Sequence, residues 1–380
     1  VIDFDALRRH PDLEAPGLAA SDAADRLILD EASSALAEAT SPREVVVVDD
    51  AYGALALGAV DAGAREVRVH QDAITGERAL AENAARLGVP EERRPHSMPF
   101  DPALVEGARV VLMRLPRALD RLDEVADLVA EHAAPDVRVF AGGRIKHMSL
   151  AMNDVLGRWF DRVDVTHARQ KSRVLVASGV RRGPETRPEG APRPARGYDE
   201  ELGLEVVAYG GVFAGTTVDI GTRFLLGVLD EAARDAATAV DLACGSGVVA
   251  AWLARRRPGL VVRASDRSAA AAASARLTAA ANGVADRVQV TRADGLEHLP
   301  DRSERLVVLN PPFHSDAALH TGIAEHLFAE AARVLAPGGE LWCVWNSHLR
   351  YRPLLERTVG PTRQIARNPK FTVTASTAAG

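Results

Sequence analysis

The sequence predicts an α/β protein of two tandem, doubly wound domains. Three observations lead there. The second half alternates short apolar runs with helical stretches, the signature of βαβ units. The first half repeats that alternation at an offset of roughly 192–196 residues. Between them, residues 181–200 (RRGPETRPEGAPRPARGYDE) are rich in Pro, Gly and charge and lack any apolar period. That stretch reads as a linker or exposed loop. The expected layout is therefore a domain over 1–180, a connection over 181–200 and a second domain over 201–380.

In the second domain the pattern predicts strands over 239–243, 261–264, 288–291, 306–309 and 340–345, with helices over 248–256, 268–282 and 326–335. Strands at 172–178 and 204–208 flank the connection. In the first domain 44–50 corresponds to 239–243 and 67–70 to the second strand. The helix over 79–88 corresponds to the one ending at Gly283. The strands over 108–112 and 137–141 correspond to 306–309 and 340–345. The halves differ where chemistry would need agreement. Gly53 stands alone where the second half has Gly245 and Gly247, and Arg114-Leu-Pro stands where the second half has Asn310-Pro-Pro-Phe. The first domain is thus expected to be a degenerate copy.

With 380 residues, 47% of them hydrophobic and 26% charged, the chain is long enough for two cores. Lysine is confined to Lys146, Lys171 and Lys370, as a high-GC coding bias would produce. Cys244 and Cys343 both lie in apolar segments and suggest neither a disulfide framework nor a zinc site. No apolar run is long enough to span a membrane, and the N-terminus lacks a signal-peptide layout, so a cytoplasmic protein is expected. The net charge of −6 does not advertise a nucleic-acid binder. Basic residues nevertheless cluster over 144–196 and again at Arg350, Arg352, Arg357, Arg363, Arg367 and Lys370. Taken alone, such runs are usually solvated faces.

Four pieces carry candidate chemistry. Asp241-Leu-Ala-Cys-Gly-Ser-Gly247 lies at a strand-to-helix turn, where Gly245 and Gly247 let backbone approach a ligand and a helix N-terminus offers free N–H groups. It lacks the third glycine of a dinucleotide turn, and Asp241 suits a cationic amino-acid ligand better than a pyrophosphate. Asp266, at the next strand end, is placed to accept ribose hydroxyls, and Asp294 to accept an adenine amino group. Alone, either is read more simply as a cap or turn residue. Asn310-Pro311-Pro312-Phe313 follows a buried strand. The Asn310 amide oxygen and Pro311 carbonyl would accept from one exocyclic amino group while Phe313 stacks on its ring. Positioning of that kind needs no nucleophile, metal or strong base. His314 and His320 either shape the pocket or belong to the loop surface.

With these motifs in this order, the sequence resembles class I S-adenosylmethionine-dependent methyltransferases of the amino-methylating NPP[FY] type. More narrowly, it is similar to the bacterial ribosomal RNA guanine-N2 methyltransferases of the 16S and 23S branches. Residues 210–226 (GGVFAGTTVDIGTRFLL) and the segments LAPGGELWCVWNSHLRY and IARNPKFTV extend the likeness. The resemblance implies two Rossmann-like domains, the first degenerate and gripping RNA, and S-adenosylmethionine as cofactor. It implies that Phe213, Asp219 and Gly221 line the cofactor pocket with Asp241, Gly245, Gly247, Asp266, Asp294 and Asn310. It also implies that Asn310 holds a guanine amino group, and Asn368, Lys370 and Phe371 point to the 23S branch. A monomer acting on ribosomal RNA, free or in a subunit or assembly intermediate, is expected. The same motifs fit an adenine-N6, protein-glutamine or small-molecule methyltransferase, and a silent RNA-binding scaffold is the non-enzymatic alternative.

Overall fold

A run of four valines opens the first sheet, and its side chains alternate between two cores. Val45 and Val47 join one apolar cluster, Val46 and Val48 the other, as the two-residue period of a strand buried on both faces requires. The structure, a computed structural model, describes residues 2–182, 193–312 and 317–379, with side chains at 317–321 outside that description. The chain divides into two units, Val1–Ala191 and Pro192–Gly380.

The first unit holds β1 (Val45–Val48), β2 (Arg68–His70), β3 (His96–Ser97), β4 (Val110–Arg114), β5 (Arg138–Arg144), β6 (Phe160–Val165) and β7 (Ser172–Val180). Their order is β3-β2-β1-β4-β5-β7-β6, with β7 antiparallel to both neighbours. Its helices are α1 (Ala23–Glu31), α2 (Ser33–Glu38), α3 (Ala54–Asp61), α4 (Ile74–Arg86), α5 (Pro102–Val105), α6 (Leu119–His132) and α7 (Leu150–Trp159).

The second unit starts with a hairpin, β8 (Ala195–Asp199) and β9 (Leu204–Ala208). Its main sheet comprises β10 (Thr238–Leu242), β11 (Val261–Asp266), β12 (Val288–Arg292), β13 (Glu304–Leu309), β14 (Leu335–Asn346), β15 (Thr362–Arg367) and β16 (Phe371–Thr377). The order β12-β11-β10-β13-β14-β16-β15, with β16 antiparallel, repeats that of the first sheet position for position. The helices are α8 (Ile220–Leu226), α9 (Val248–Arg256), α10 (Ala269–Ala281), α11 (Ala317–Val334) and α12 (Arg352–Thr358). The expected tandem α/β architecture is thus present. Four expectations need correcting. The supposed connection over 181–200 ends in β8, and α11 begins nine residues before the helix expected at 326. The helix expected over 79–88 is α4, Ile74–Arg86, and the strand expected over 340–345 extends as β14 over Leu335–Asn346.

α10 shows how the sequence docks the segment leading to the site. Its stretch 269–282 is rich in alanine, but Ser274, Thr278 and Asn282 recur every fourth residue and form one polar stripe. Thr278 Oγ1 accepts from Val207 N and donates to Val207 O, at 3.0 and 3.2 Å. Ser274 Oγ accepts from Tyr209 N, while Asn282 bonds Glu205 N and O. The stripe replaces a neighbouring strand for one edge of β9 and satisfies its backbone groups. Because Thr278 is fully buried, Thr278→Val should leave the Val207 amide unpaired. We expect a loss of about 1–3 kcal/mol in urea unfolding, with Thr278→Ser close to wild type. Equal losses for the two variants would contradict this latch.

Candidate functional site

The site residues gather at the carboxyl ends of β10 to β13, where the strand order reverses about β10 and open α/β sheets leave a crevice. Three positive φ values shape the turn after β10: Ala243 (56°), Gly245 (54°) and Gly247 (77°). The two glycines serve different ends. A Cβ on Gly247 would lie 2.7 Å from the Ala275 Cβ, so this glycine lets α9 start against α10. A Cβ on Gly245 would meet nothing within 4 Å, so the turn presents bare backbone to open space.

Asp266 shapes the turn from β11. Its Oδ2 accepts from Gly245 N at 2.9 Å and its Oδ1 from Ser268 N at 2.9 Å. Asp241 lies behind the turn, only 3% exposed, with Oδ2 accepting from Ala250 N inside α9. Burial pushes its carboxyl up to about 7 against the pull of that hydrogen bond. It can act on a nearby cation as a buried charge, but it is not an exposed ligand. Asp294 follows β12, and its Oδ1 accepts from His326 Nε2 at 3.0 Å. Nothing in the sequence spacing joins those two, because His326 comes from α11.

Asn310 follows β13 directly. Its Nδ2 donates to Thr222 Oγ1 at 3.0 Å and to Asp219 Oδ2 at 3.3 Å. The same Asp219 oxygen caps α8, accepting from Gly221 N at 2.8 Å and Thr222 N at 3.1 Å. That oxygen therefore faces Asn310 as an acceptor, which fixes the amide NH2 toward it and turns Oδ1 away. Asn310 Oδ1 is buried and has no hydrogen-bond partner among the described residues. A buried acceptor left unpaired costs about 1–3 kcal/mol, so it reads as a position awaiting a donor. Gly221 permits the tight cap: a Cβ there would lie 2.9 Å from Asp219 Oδ2 and 3.1 Å from Phe371 Cε1. Asp219 and Gly221 thus set up Asn310, a link the family pattern did not suggest. Thr222 was missed because a threonine one turn into a helix carries no sequence signal. Pro311 is buried and Pro312 half-buried. Phe213 is 59% exposed in the segment between β9 and α8. Phe313, His314 and the side chain of His320 lie outside the described residues.

The first unit supplies an internal comparison. Asp49, Ala51 and Gly53 follow β1 with φ of 57°, 64° and 100°, so the turn keeps its shape without the first glycine. Asp50 reaches into α3, accepting from Leu55 N and Ala56 N, and burial pushes its carboxyl up to about 8. In the place of Asn310 stands Arg114. It forms ion pairs with Asp22, the N-cap of α1, and with Asp25, which is 1% exposed. The Asp219–Thr222–Asn310 junction thus has a charged counterpart in which the side chain at the strand end is a donor only. Beside it Arg121 pairs with Asp49 and covers the Phe100 ring at 4.2 Å.

Among the described residues, many arginines of the basic runs are paired. Arg158, Arg162, Arg169, Arg181, Arg196, Arg352, Arg357 and Arg363 all pair with carboxylates. Among the described residues no group of His, Cys, Asp and Glu could hold a metal ion, and no helix is long and apolar enough to cross a membrane.

Comparisons with known proteins match this organisation. Residues 3–181 match the RLMG N-terminal domain family, and residues 203–375 match the methyltransferase small domain family. A ribosomal RNA large subunit methyltransferase G of Pseudomonas aeruginosa is 34% identical over 368 residues, covering 97% of this chain and 96% of its own. Its namesake from Pseudomonas entomophila is 33% identical over 374 residues, covering 98% and 96%. Among solved structures, a T. thermophilus 16S rRNA N2 G1207 methyltransferase in complex with AdoMet and guanosine superposes with a TM-score of 0.73. That match spans 99% of this chain and 100% of the other at 21% identity, and so speaks to the fold.

The two turn glycines should respond differently to alanine. Gly245→Ala meets only the left-handed backbone penalty, about 1–2 kcal/mol. Gly247→Ala adds overpacking against α10 and should lose about 1–3 kcal/mol more in urea unfolding. Equal losses would contradict the division of labour drawn between them.

Proposed function

The chain belongs to the ribosomal RNA large subunit methyltransferase G family, and on that premise we propose that it methylates the exocyclic N2 of a guanine in large-subunit ribosomal RNA, using S-adenosylmethionine. The observation that carries this reading is the buried Oδ1 of Asn310, without a hydrogen-bond partner among the described residues, on an amide held in place by Asp219 and Thr222.

The crevice suits the cofactor. The open face of the Gly245 turn takes the amino-acid portion, with the buried Asp241 carboxyl behind it. The Asp266 carboxylate, which shapes the turn, takes the ribose hydroxyls, and Asp294 accepts the adenine amino group. Phe213, Gly221 and Gly247 complete the walls. When bound, S-adenosylmethionine supplies an electrophilic methyl group on its sulfonium.

Asn310 Oδ1 accepts one N–H of the guanine amino group, and the Pro311 carbonyl accepts the other. Holding both hydrogens draws the nitrogen lone pair out of conjugation with the ring. No proton has to be removed before attack, so alignment supplies most of the rate. Pro311 and Pro312 keep the backbone extended, and Phe313 stacks on the base. In a duplex the guanine amino group is hidden in the minor groove, so the enzyme takes an unpaired or flipped base. Phosphates are met by cations without carboxylate partners among the described residues, such as Lys146, Lys171, Arg173, Arg350 and Arg367. The first unit grips RNA, and the protein works as a cytoplasmic monomer.

Ribosomal RNA, free and in subunits, incubated with labelled cofactor should yield labelled N2-methylguanosine on nucleoside analysis. Label only in N6-methyladenosine or in protein would refute the guanine assignment. Asn310→Ala should bind cofactor normally and lose about a hundredfold or more in kcat, the scale of a misplaced reactant. Unchanged turnover would remove Asn310 from the mechanism.

A further inference from the structure

The turn after β12 is clamped from α11 by three side chains one helical face apart. His326 Nε2 lies 3.0 Å from Asp294 Oδ1. Glu330 Oε2 accepts from Leu296 N at 3.0 Å. Arg333 donates to Leu296 O and Leu299 O, at 2.8 and 2.9 Å. The pins differ in what they hold. Glu330 and Arg333 grip backbone, whereas His326 grips the one carboxylate assigned to the adenine amino group.

We propose that His326 is a positioning residue for cofactor recognition, fixing the Asp294 carboxylate so that its second oxygen reads the 6-amino group of adenine. The inference rests on the role given to Asp294 above. A carboxylate on a turn rotates freely about its Cβ–Cγ bond unless a donor fixes one oxygen. With Oδ1 occupied by His326, Oδ2 is left as a directed acceptor. A 6-amino group donates to it; a 6-oxo group in the same place sets two acceptors against each other. The imidazole is half exposed and the Asp294 side chain 19% exposed, so the pair can be reached from solvent. The Asp294 bond raises the imidazole's affinity for protons. Glu330 on the same helix reinforces it and Arg267, after β11, opposes it.

On this reading α11 sets the adenine corner, while α8 holds the acceptor side chain Asn310. A purely structural clamp predicts something else, namely that loosening any of the three pins has the same effect.

The test is isothermal titration of the full chain with S-adenosylhomocysteine and with S-inosylhomocysteine, which carries a 6-oxo group. Wild type should prefer the adenosyl compound by about tenfold or more, one charge-assisted hydrogen bond's worth. His326→Ala should bring the two affinities to within about threefold, and His326→Gln, whose amide N–H reaches a similar point, should restore the preference. Arg333→Ala, which loosens the same turn without touching the carboxylate, should keep it. A His326→Ala protein with the wild-type ratio, or an equal loss of ratio in Arg333→Ala, overturns the proposal. A wild-type chain without preference instead overturns the Asp294 assignment beneath it, so the two failures are told apart.

Discussion

A single oxygen, Asp219 Oδ2, receives Gly221 N, Thr222 N and the Asn310 amide. Through it the start of α8 and the end of β13 share one anchor. An N-cap of this kind is worth about 1 kcal/mol, an ordinary contribution to stability. Its value is geometric. It decides which end of the Asn310 amide faces inward, and an inverted amide would present a donor to a donor. Gly221 serves the same end, because a Cβ there would crowd that oxygen at 2.9 Å.

The first unit shows what the scaffold tolerates. Strand order, the turn after the first strand and the cap of the equivalent helix are all kept, with Asp22 and Asp25 where the second unit has Asp219 and Thr222. Exchanging the amide for the Arg114 guanidinium removes the acceptor from that position and leaves a side chain that only donates, to Asp22 and Asp25. Asp50 likewise takes over from Asp241 the task of holding the helix amide at Ala56, from three residues further along the chain. The fold needs a carboxylate against that helix start and a polar tie to the strand end. It does not need an acceptor, and only the second unit keeps one.

How much was legible follows from the same distinction. Buried parallel strands announce themselves as apolar runs, and β9 and α9 fall at their expected bounds. β8 did not. Its residues are exposed or half-exposed throughout, so it has no alternation to read, and its Arg and Gly look like loop. The early turns of α11 follow a Pro-Pro step that breaks the helical pattern. Within the site, residues tied to local geometry were readable: glycines at positive φ and carboxylates at strand ends. Thr222 and His326 were not, because each acts across a gap of tens of residues that only the sheet order closes.

Charge follows a similar logic. The chain is acidic overall, and most of its clustered arginines are spent on neighbouring carboxylates, so a count of basic residues overstates what remains for phosphate. Exposed ion pairs of this sort add little stability, but each removes a cation from the field that a polyanion meets. Few phosphate contacts mean little counterion release, and therefore weak sequence-independent affinity. On the proposed reading, discrimination then falls to the pocket itself. An unpaired amide oxygen rewards only a base that brings a donor to it, and the proline carbonyl beside it rewards only one that brings two hydrogens. A ring presenting a carbonyl at that point would leave both acceptors buried and unpaired, a penalty larger than any surface contact restores.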